Sequence, residues 1–590
     1  MLKTSLVTRF VFQDSKYAGK HKQILFKLPN NADSRKNYSQ RAYVQNIGKE
    51  PLIYRNLGEQ IYRAAEKYGN RPAVISCYEH QTLSFIDVTR EAENLAVKLK
   101  DLGLNRGDHL AIWAPNTIQW YITFLAAGLS GLPLVCMNPA LQAPEVEYAL
   151  RKAKVKAIIT MDSCGKQNFY DILKTVLSKE NLIEKQIKSE KFPLLRNVLV
   201  KYEKSLEDFI SFAELLAQPI NIKEFENLNK LVKEISPDSI CNIQFTSGTT
   251  GQAKATLLSH FSHVNVGHLF GQALSMHEGH KRICLTVPLF HAFGLGILTG
   301  SLDYGATLIM PSPTFNGAAA IDAIEKESCN VVVGTPTMFV DMLEKQQDMQ
   351  RSMKSLELAL VGGAACSPEV FLNVKTVFSL KRMRIGYGLS EATGAIFAQD
   401  DTDSLESAVL SVGKLFEHGE AKVINAEGQT VAYGESGELC VRGFFTMLGY
   451  LDDEVKTREI LSSDGWLRTG DEFVMEPTAV GRIMGRKKDI IIRGGENIFP
   501  KEIEDFLDTH DDILEAQIIG VPDKRMGEEI CAFLRLRPGV AILTVDDIKQ
   551  FCKGKIAHFK IPKYVQVVDD FPKTTSGKIQ KFKLSSMFNV

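Results

Sequence analysis

Residues 246–254 read TSGTTGQAK, which puts four hydroxyls and two glycines into six positions and a lysine three places after Gly251. This combination suits an anion. Glycines let backbone N–H groups come close to it, and Ser and Thr hydroxyls donate further hydrogen bonds to its oxygens. The apolar run SICNIQF just before it reads as a buried strand, so the loop is expected at that strand's carboxyl end, where open α/β sheets bind ligands. Gly248, Gly251 and Lys254 do not have the GxxxxGK spacing of the common nucleotide loop, so the motif is a phosphate site of another kind.

Other groups with chemical potential are scattered along the chain. GYGLSEATG carries Ser390 and Glu391. It approaches a GxSxG nucleophile elbow but lacks the second glycine and any evident Asp/His order, which argues against serine hydrolysis. The loop PKTTSGKIQK surrounds Lys578 with Thr574, Thr575, Ser576 and Gly577, a mobile setting for a lysine able to reach several oxygens. His260, His263, His268, His277 and His280 do not form HExxH, and surface or supporting roles are expected for them.

These residues need a scaffold of several units, because 590 residues exceed one core and about 150 residues per domain suggests roughly three or four. A formal net charge of +0 gives no reason to expect a nucleic-acid partner. Ten cysteines without a CxxC pair point to a reducing compartment rather than a zinc or disulfide framework. Residues 121–137 are the most apolar stretch, but they are short for a span and broken by Gly128, Gly131 and Pro133. They read as a buried helix entering a buried strand, with no transmembrane segment expected.

Residues 1–40 hold eight Lys or Arg against Asp14 and Asp33, and their opening can place Leu2, Leu6 and Phe10 on one helical face. This is the pattern of a mitochondrial transit peptide, or else of a disordered basic tail, and it lies outside the expected fold. From Tyr54 on, strand-like runs (PAVISC, HLAIWA, KAIIT, NVLV, RICLTVP, ATLIMPS, VVVGTP, LELALVGG) alternate with helical patterns such as Val88, Ala92, Leu95, Ala96 and Leu99. That alternation implies parallel sheets with helices on both faces. Residues 181–235 are more charged and read as a surface excursion. Beyond about Asp400, AKVINAEGQTVA and GELCVRG look like antiparallel strands around an Asn-Ala-Glu-Gly turn.

In this order TSGTTGQAK, PLFHAFG, VGGA, GYGLSEATG, GELCVRG, GWLRTGD, GRKKD and PKTTSGKIQK resemble the adenylate-forming superfamily of acyl-CoA synthetases, peptide-synthetase adenylation domains and luciferases, over residues 50–585. NIQFTSGTTG, GTPTMFVDML and FCKGKIAHFKIPKY look closest to a mitochondrial group of acyl-CoA synthetases acting on medium-chain fatty acids. The resemblance implies a fold of two doubly wound α/β subdomains plus a small β-barrel-like subdomain over residues 50–487. A hinge would join these to a small mobile α+β domain over residues 488–590.

It also implies the site. ATP phosphates would be held by Thr246, Ser247, Gly248, Thr249, Thr250, Gly251, Gln252, Ala253 and Lys254. Many relatives have Pro and Gly around that lysine, where this chain has Ala253 and Ala255. Glu391 resembles the acid linked to Mg2+, and Ser390 stands where Thr is commoner. Tyr387 would stack on adenine, with Gly363, Ala364 and Gly386 along the base. Asp471 and Arg486 would hold the ribose, and Lys578 would bridge carboxylate and α-phosphate. His291 would line the acyl tunnel, Lys488 would be the hinge, and Gly494, Gly495 and Glu496 would meet CoA. The implied reaction joins a fatty acid to CoA through an acyl-adenylate, with release of AMP and pyrophosphate. The alternatives are adenylation of an aromatic or dicarboxylic acid, or a non-catalytic nucleotide or acyl-CoA binder. No resemblance bears on oligomeric state.

Overall fold

The computed structural model describes residues 7–10, 24–27, 41–177, 181–183, 186–202, 208–246, 253–401, 405–486, 489–493, 496–523, 525–553, 555–556, 558–575 and 577–588. Two large sheets carry most of the chain. In the first, strands Asn197–Lys201, Val155–Met161, His109–Trp113, Leu134–Cys136 and Ile240–Thr246 run parallel in that order, and Lys254–Ser259 then pairs antiparallel with Ile240–Thr246. These runs are mostly apolar because both faces are covered. Strand His109–Trp113 sends Leu110 and Ile112 into the core shared with the second sheet, and Ala111 and Trp113 into a separate outer core. This is the two-residue alternation of a strand.

In the second sheet, Arg382–Tyr387, Leu358–Val361, Val331–Gly334, Arg282–Leu285, Thr307–Met310 and Pro72–Ser76 are parallel. The antiparallel strands expected past Asp400 continue this sheet, beginning with Phe397–Ala398 folded back on Tyr387. The expected turn is present, with Gly428 N–H donating to the Asn425 carbonyl and Gly428 at φ +79°.

Between the sheets lie helices with few polar residues. Helix Ile118–Ser130 starts at Thr117, whose hydroxyl accepts from the Trp120 N–H. Every one of its residues is buried, and it ends at Gly131 in the left-handed region. Helices His260–Ala273 and Ala292–Tyr304 cross closely at Gly267, where a Cβ would come within 2.7 Å of Thr299 Cβ and 2.9 Å of Gly300 N. A third, smaller sheet contains Ile491–Arg493, Ile513–Asp523, Gly527–Leu536 and Tyr564–Val567. Helices Pro500–Leu507 and Val545–Cys552 pack against it around its own apolar core.

Two readings are corrected. Val7–Phe10 is a strand paired antiparallel with Ile24–Lys27, not part of a helix, in keeping with the extended preference of Val7, Thr8 and Phe10. Helix Ile222–Glu234 belongs to the main core rather than to a surface excursion. Leu228 and Val232, four residues apart, are its buried stripe, too narrow to stand out from its charged face.

Candidate active site

The two ends of the glycine-rich motif face each other across the first sheet. Thr246 and Lys254 are paired residues of adjacent antiparallel strands, at the carboxyl end of Ile240–Thr246. Ser247, Gly248, Thr249, Thr250, Gly251 and Gln252 lie outside the described residues. The roots are well held. The Tyr148 hydroxyl donates to the Ala253 carbonyl at 2.8 Å, and Lys254 Nζ lies 4.9 Å from the centre of the Tyr450 ring.

Glu391 sits on a 3-10 turn, Ser390–Ala392, just after Tyr387 ends its strand. Two glycines shape this loop. A Cβ on Gly388 would lie 2.1 Å from the Gly394 carbonyl oxygen, and Gly394 has φ +99°. One carboxylate oxygen of Glu391 accepts from the Thr246 hydroxyl at 3.3 Å and from the Tyr450 hydroxyl at 2.9 Å. Among the described residues no group of three or more His, Cys, Asp or Glu converges to hold a metal. A single carboxylate beside a phosphate loop is nevertheless the donor set Mg2+ uses when phosphates supply other ligands. The residues therefore fit that ion.

Tyr387, Asp471 and Arg486 form a second group. The Tyr387 hydroxyl donates to Asp471 Oδ2 at 2.6 Å, and Arg486 Nε lies 2.8 Å from Oδ1. The register brings them together, since Asp471 and Arg486 are partners on neighbouring strands. Asp471 is 2 % exposed, and burial raises its pKa against the opposing pull of Arg486.

Lys578 reaches this group from the far end of the chain. Its N–H donates to the Thr574 hydroxyl and its carbonyl accepts from the Thr574 N–H, which closes residues 574–578 into a tight turn. A Cβ on Gly363 would lie 3.4 Å from Lys578 Cε, and the Thr575 hydroxyl donates to the Asn138 side-chain carbonyl at 2.9 Å. Although Lys578 opens onto the cavity, the surrounding protein and then Arg486 hold its pKa below the ordinary lysine value. Further polar contacts join the small sheet to the large region. Arg535 lies 3.3 Å from both Asp341 and Glu344, Arg537 lies 3.0 Å from Glu369, and Lys501 Nζ donates to the Cys366 carbonyl.

Behind Lys578 an open cavity runs past His291, Gly363, Gly386, Tyr387 and Ser390. Its lining includes the apolar side chains of Phe270, Val287, Phe293, Phe397 and Phe416. His291 begins helix Ala292–Tyr304, and burial with the nearby Lys578 lowers its pKa to about 3, so its imidazole is neutral. A second cavity opens beside Lys573, Thr574, Thr575 and Gly577, against Asn116, Pro139, Phe290, Phe315 and Met338.

The structure thus gathers Thr246, Lys254, Glu391 and Ser390 on one side and Tyr387, Asp471, Arg486, Gly363, Gly386 and Lys578 on the other. Ala364 follows Gly363 at an exposed position. Lys488, Gly494 and Gly495 lie outside the described residues, and Glu496 begins strand Glu496–Ile498. His260 and His263 are not on the surface. Both are buried in helix His260–Ala273, and burial lowers their pKa values to about 3 and about 4. Tyr148, Asn138 and Tyr450 were missed by sequence reasoning, because a lone tyrosine or asparagine carries no local chemical signal.

Known proteins give the arrangement its context. The AMP-binding enzyme family matches residues 61–451, and the AMP-binding enzyme C-terminal domain matches residues 502–578. The medium-chain acyl-CoA ligase ACSF2, mitochondrial, of Danio rerio is 40% identical over 549 residues, covering 92% of this chain and 90% of its own. The putative acyl-CoA synthetase YngI of Bacillus subtilis (strain 168) is 36% identical over 550 residues, covering 91% and 99%. The fold resembles that of the anthranilate CoA ligase AuaEII, solved with anthranoyl-AMP, at a TM-score of 0.78 and 24% identity over 91% of this chain and 98% of that one. The matched segments contain Thr246, Lys254, Tyr387, Glu391 and Lys578, with Asp471 and Arg486 between the two segments, and the chain belongs to the AMP-binding enzyme family, as an adenylate-forming enzyme of the acid–thiol ligase class.

Proposed function

We propose that the protein is an ATP-dependent fatty acid–CoA ligase acting on medium-chain acids. The observation that carries this reading is the largely apolar lining of the open cavity at Lys578, beside Tyr387, Asp471 and Arg486. Of the cavity's lining, only Lys578 and the neutral His291 are ionisable apart from the tyrosine, so nothing along the wall pairs with a second carboxylate. This favours a monoacid with an apolar tail over a dicarboxylic one. An aromatic acid remains the second reading, supported by the five-residue apolar wall in which four members are phenylalanines.

The carboxylate and the α-phosphate are both anions, and Lys578 is placed to touch both and offset their repulsion. The substrate carboxylate oxygen attacks the α-phosphorus, the bond to the bridging oxygen breaks, and pyrophosphate leaves toward residues 246–254. Ser390 offers a hydroxyl to the same phosphate, Asp471 and Arg486 fix the ribose, and Tyr387 with Gly363, Ala364 and Gly386 borders the base. Glu391 would hold Mg2+, which when bound neutralises phosphate charge. The phenylalanine wall keeps water from the mixed anhydride. In the second step the CoA thiol gives up its proton to solvent and its sulfur attacks the acyl carbon, the single bond from that carbon to the oxygen shared with phosphorus breaks, and AMP leaves with the electron pair.

Lysine in the first step and thiol in the second need the same space. The polar contacts between the small domain and the large region suit reversible separation. Rotation about Lys488 would withdraw Lys578 and bring Gly494, Gly495 and Glu496 toward CoA, whose thiol arm the second cavity can admit. The domain limits 50–487 and 488–590 belong to this proposal. So does a mitochondrial destination for a chain with residues 1–40 as transit peptide, for which the names of the vertebrate relatives give support. Import into isolated mitochondria with and without residues 1–40 tests that destination.

The function is tested by measuring AMP and acyl-CoA from MgATP, CoA and linear acids of increasing length, with benzoate and succinate alongside. A maximum at medium-chain acids is expected. A maximum at benzoate transfers the reading to aromatic acids, and AMP without thioester removes CoA as acceptor.

A further inference from the structure

Tyr450 stands where the two halves of the phosphate site meet, and nothing in the motifs points to it. It lies on the short strand Gly449–Tyr450, paired with Lys254–Ser259 so that Tyr450 faces Thr256. The Leu451 N–H donates to the Ala255 carbonyl and the Leu448 N–H to the Leu257 carbonyl, while the Met447 N–H donates to the Glu391 carbonyl. One short segment therefore grips both the root of the phosphate loop and the backbone of Glu391.

The side chain, 5 % exposed, repeats that connection. Its hydroxyl donates to Glu391 Oε1 at 2.9 Å, and its ring face receives the Lys254 ammonium at 4.9 Å. Thr246, directly across from Lys254, donates to the same Glu391 oxygen. Lys254 is flanked by Ala253 and Ala255, so no Pro limits the backbone at this root, and the tyrosine ring supplies an anchor from outside the loop.

We propose that Tyr450 is a positioning residue for MgATP: its hydroxyl aims the Glu391 carboxylate at the metal–phosphate unit, and its ring holds Lys254 in reach of the departing phosphates. This rests on the ligase reading above for the roles of Glu391 and Lys254, but it concerns nucleotide binding and can be measured without turnover.

The test compares wild type, Tyr450→Phe and Tyr450→Leu in three measurements: calorimetric affinity for ATP with Mg2+ and with EDTA, adenylate formation, and thioester formation from supplied acyl-adenylate and CoA. Tyr450→Phe keeps the ring and is expected to lose about three- to tenfold of the gain in ATP affinity that Mg2+ provides, with affinity in EDTA unchanged. Tyr450→Leu is expected to lose about a further two- to fivefold with or without Mg2+, as the ammonium–ring contact goes. In both variants the thioester step from supplied adenylate should stay within about twofold of wild type, since pyrophosphate plays no part in it.

Wild-type Mg2+ dependence in Tyr450→Phe overturns the proposal. So does an equal fall in both half-reactions with a lowered Tm, which would mark a packing role only. If wild type forms no adenylate with any acid, the ligase reading has failed, while the calorimetric contrast between wild type and Tyr450→Phe still decides the role of Tyr450.

Discussion

Replacing Lys578 by alanine separates the two chemical steps. Its ammonium is not readily substituted: Arg486, the other cation of the group, is committed to Asp471 at 2.8 Å. A single charge about 4 Å from a developing anion at an effective dielectric of about 20 contributes about 4 kcal/mol. Removal of a preorganised donor from comparable sites costs about 2.7–4 kcal/mol, which corresponds to about a 10²- to 10³-fold loss of rate. The rate of acyl-adenylate formation, followed by rapid quench with labelled ATP, is expected to fall by that factor. Thioester formation from synthetic octanoyl-adenylate and CoA should change less than about threefold if the proposed rotation withdraws the lysine for that step.

The pH dependence adds a second arm. The protein surroundings and Arg486 lower the Lys578 pKa in the free enzyme, so its charged form is lost at lower pH than for a free lysine. Bound phosphate favours the ammonium again. The basic limb of kcat/KM for ATP is therefore expected below that of kcat, and Lys578→Ala should lack the difference. Adenylation within about threefold of wild type would refute the reasoning. So would an equal fall in both half-reactions.

Three further outcomes are expected. Asp471→Asn weakens a carboxylate held by Tyr387 and Arg486. It should raise KM for ATP about 10-fold and abolish any preference for ATP over 2′-deoxy-ATP, and a retained preference would place the ribose elsewhere. Phe270→Ala removes a ring 5.7 Å from Phe293 at the inner end of the cavity. It should shift kcat/KM toward acids longer by two or three carbons, with the long-to-medium ratio rising by about 10-fold; an unchanged length profile would place the chain terminus elsewhere. Glu515→Gln concerns stability. Burial raises the Glu515 pKa to about 7 despite Lys573 and Arg535, so the native state binds more protons than the unfolded chain between the usual glutamate range and about pH 7. Stability from this group falls as pH rises through that window. Glu515→Gln should flatten the dependence and raise stability at pH 8 by on the order of 2–3 kcal/mol in denaturant titrations.

Much of the parallel architecture was legible because buried strands are short unbroken apolar runs. HLAIWA, VVVGTP and LELALVGG contain strands His109–Trp113, Val331–Gly334 and Leu358–Val361. Residues 121–137 could be read as helix then strand because Gly131 and Pro133 punctuate them. In the structure helix Ile118–Ser130 ends at Gly131 and strand Leu134–Cys136 follows. Less legible were segments whose burial depends on distant partners. Leu228 and Val232 become core only because other helices cover them, and Val7–Phe10 becomes a strand by pairing with Ile24–Lys27.

The sequence by itself determined which chemical groups exist and in what order: a hydroxyl-rich phosphate loop, an acid after GYGLS, an acid in GWLRTGD and a lysine in a glycine-bearing turn. These are local properties of composition and spacing. Only the tertiary structure decided which groups touch. Strand register set Asp471 opposite Arg486, the packing of the small domain carried Thr575 to Asn138 across 437 residues, and a two-residue strand placed Tyr450 between Lys254 and Glu391. Such contacts arise where sheets align and cores close, and a side chain's partner then depends on the register of strands far from it in the chain.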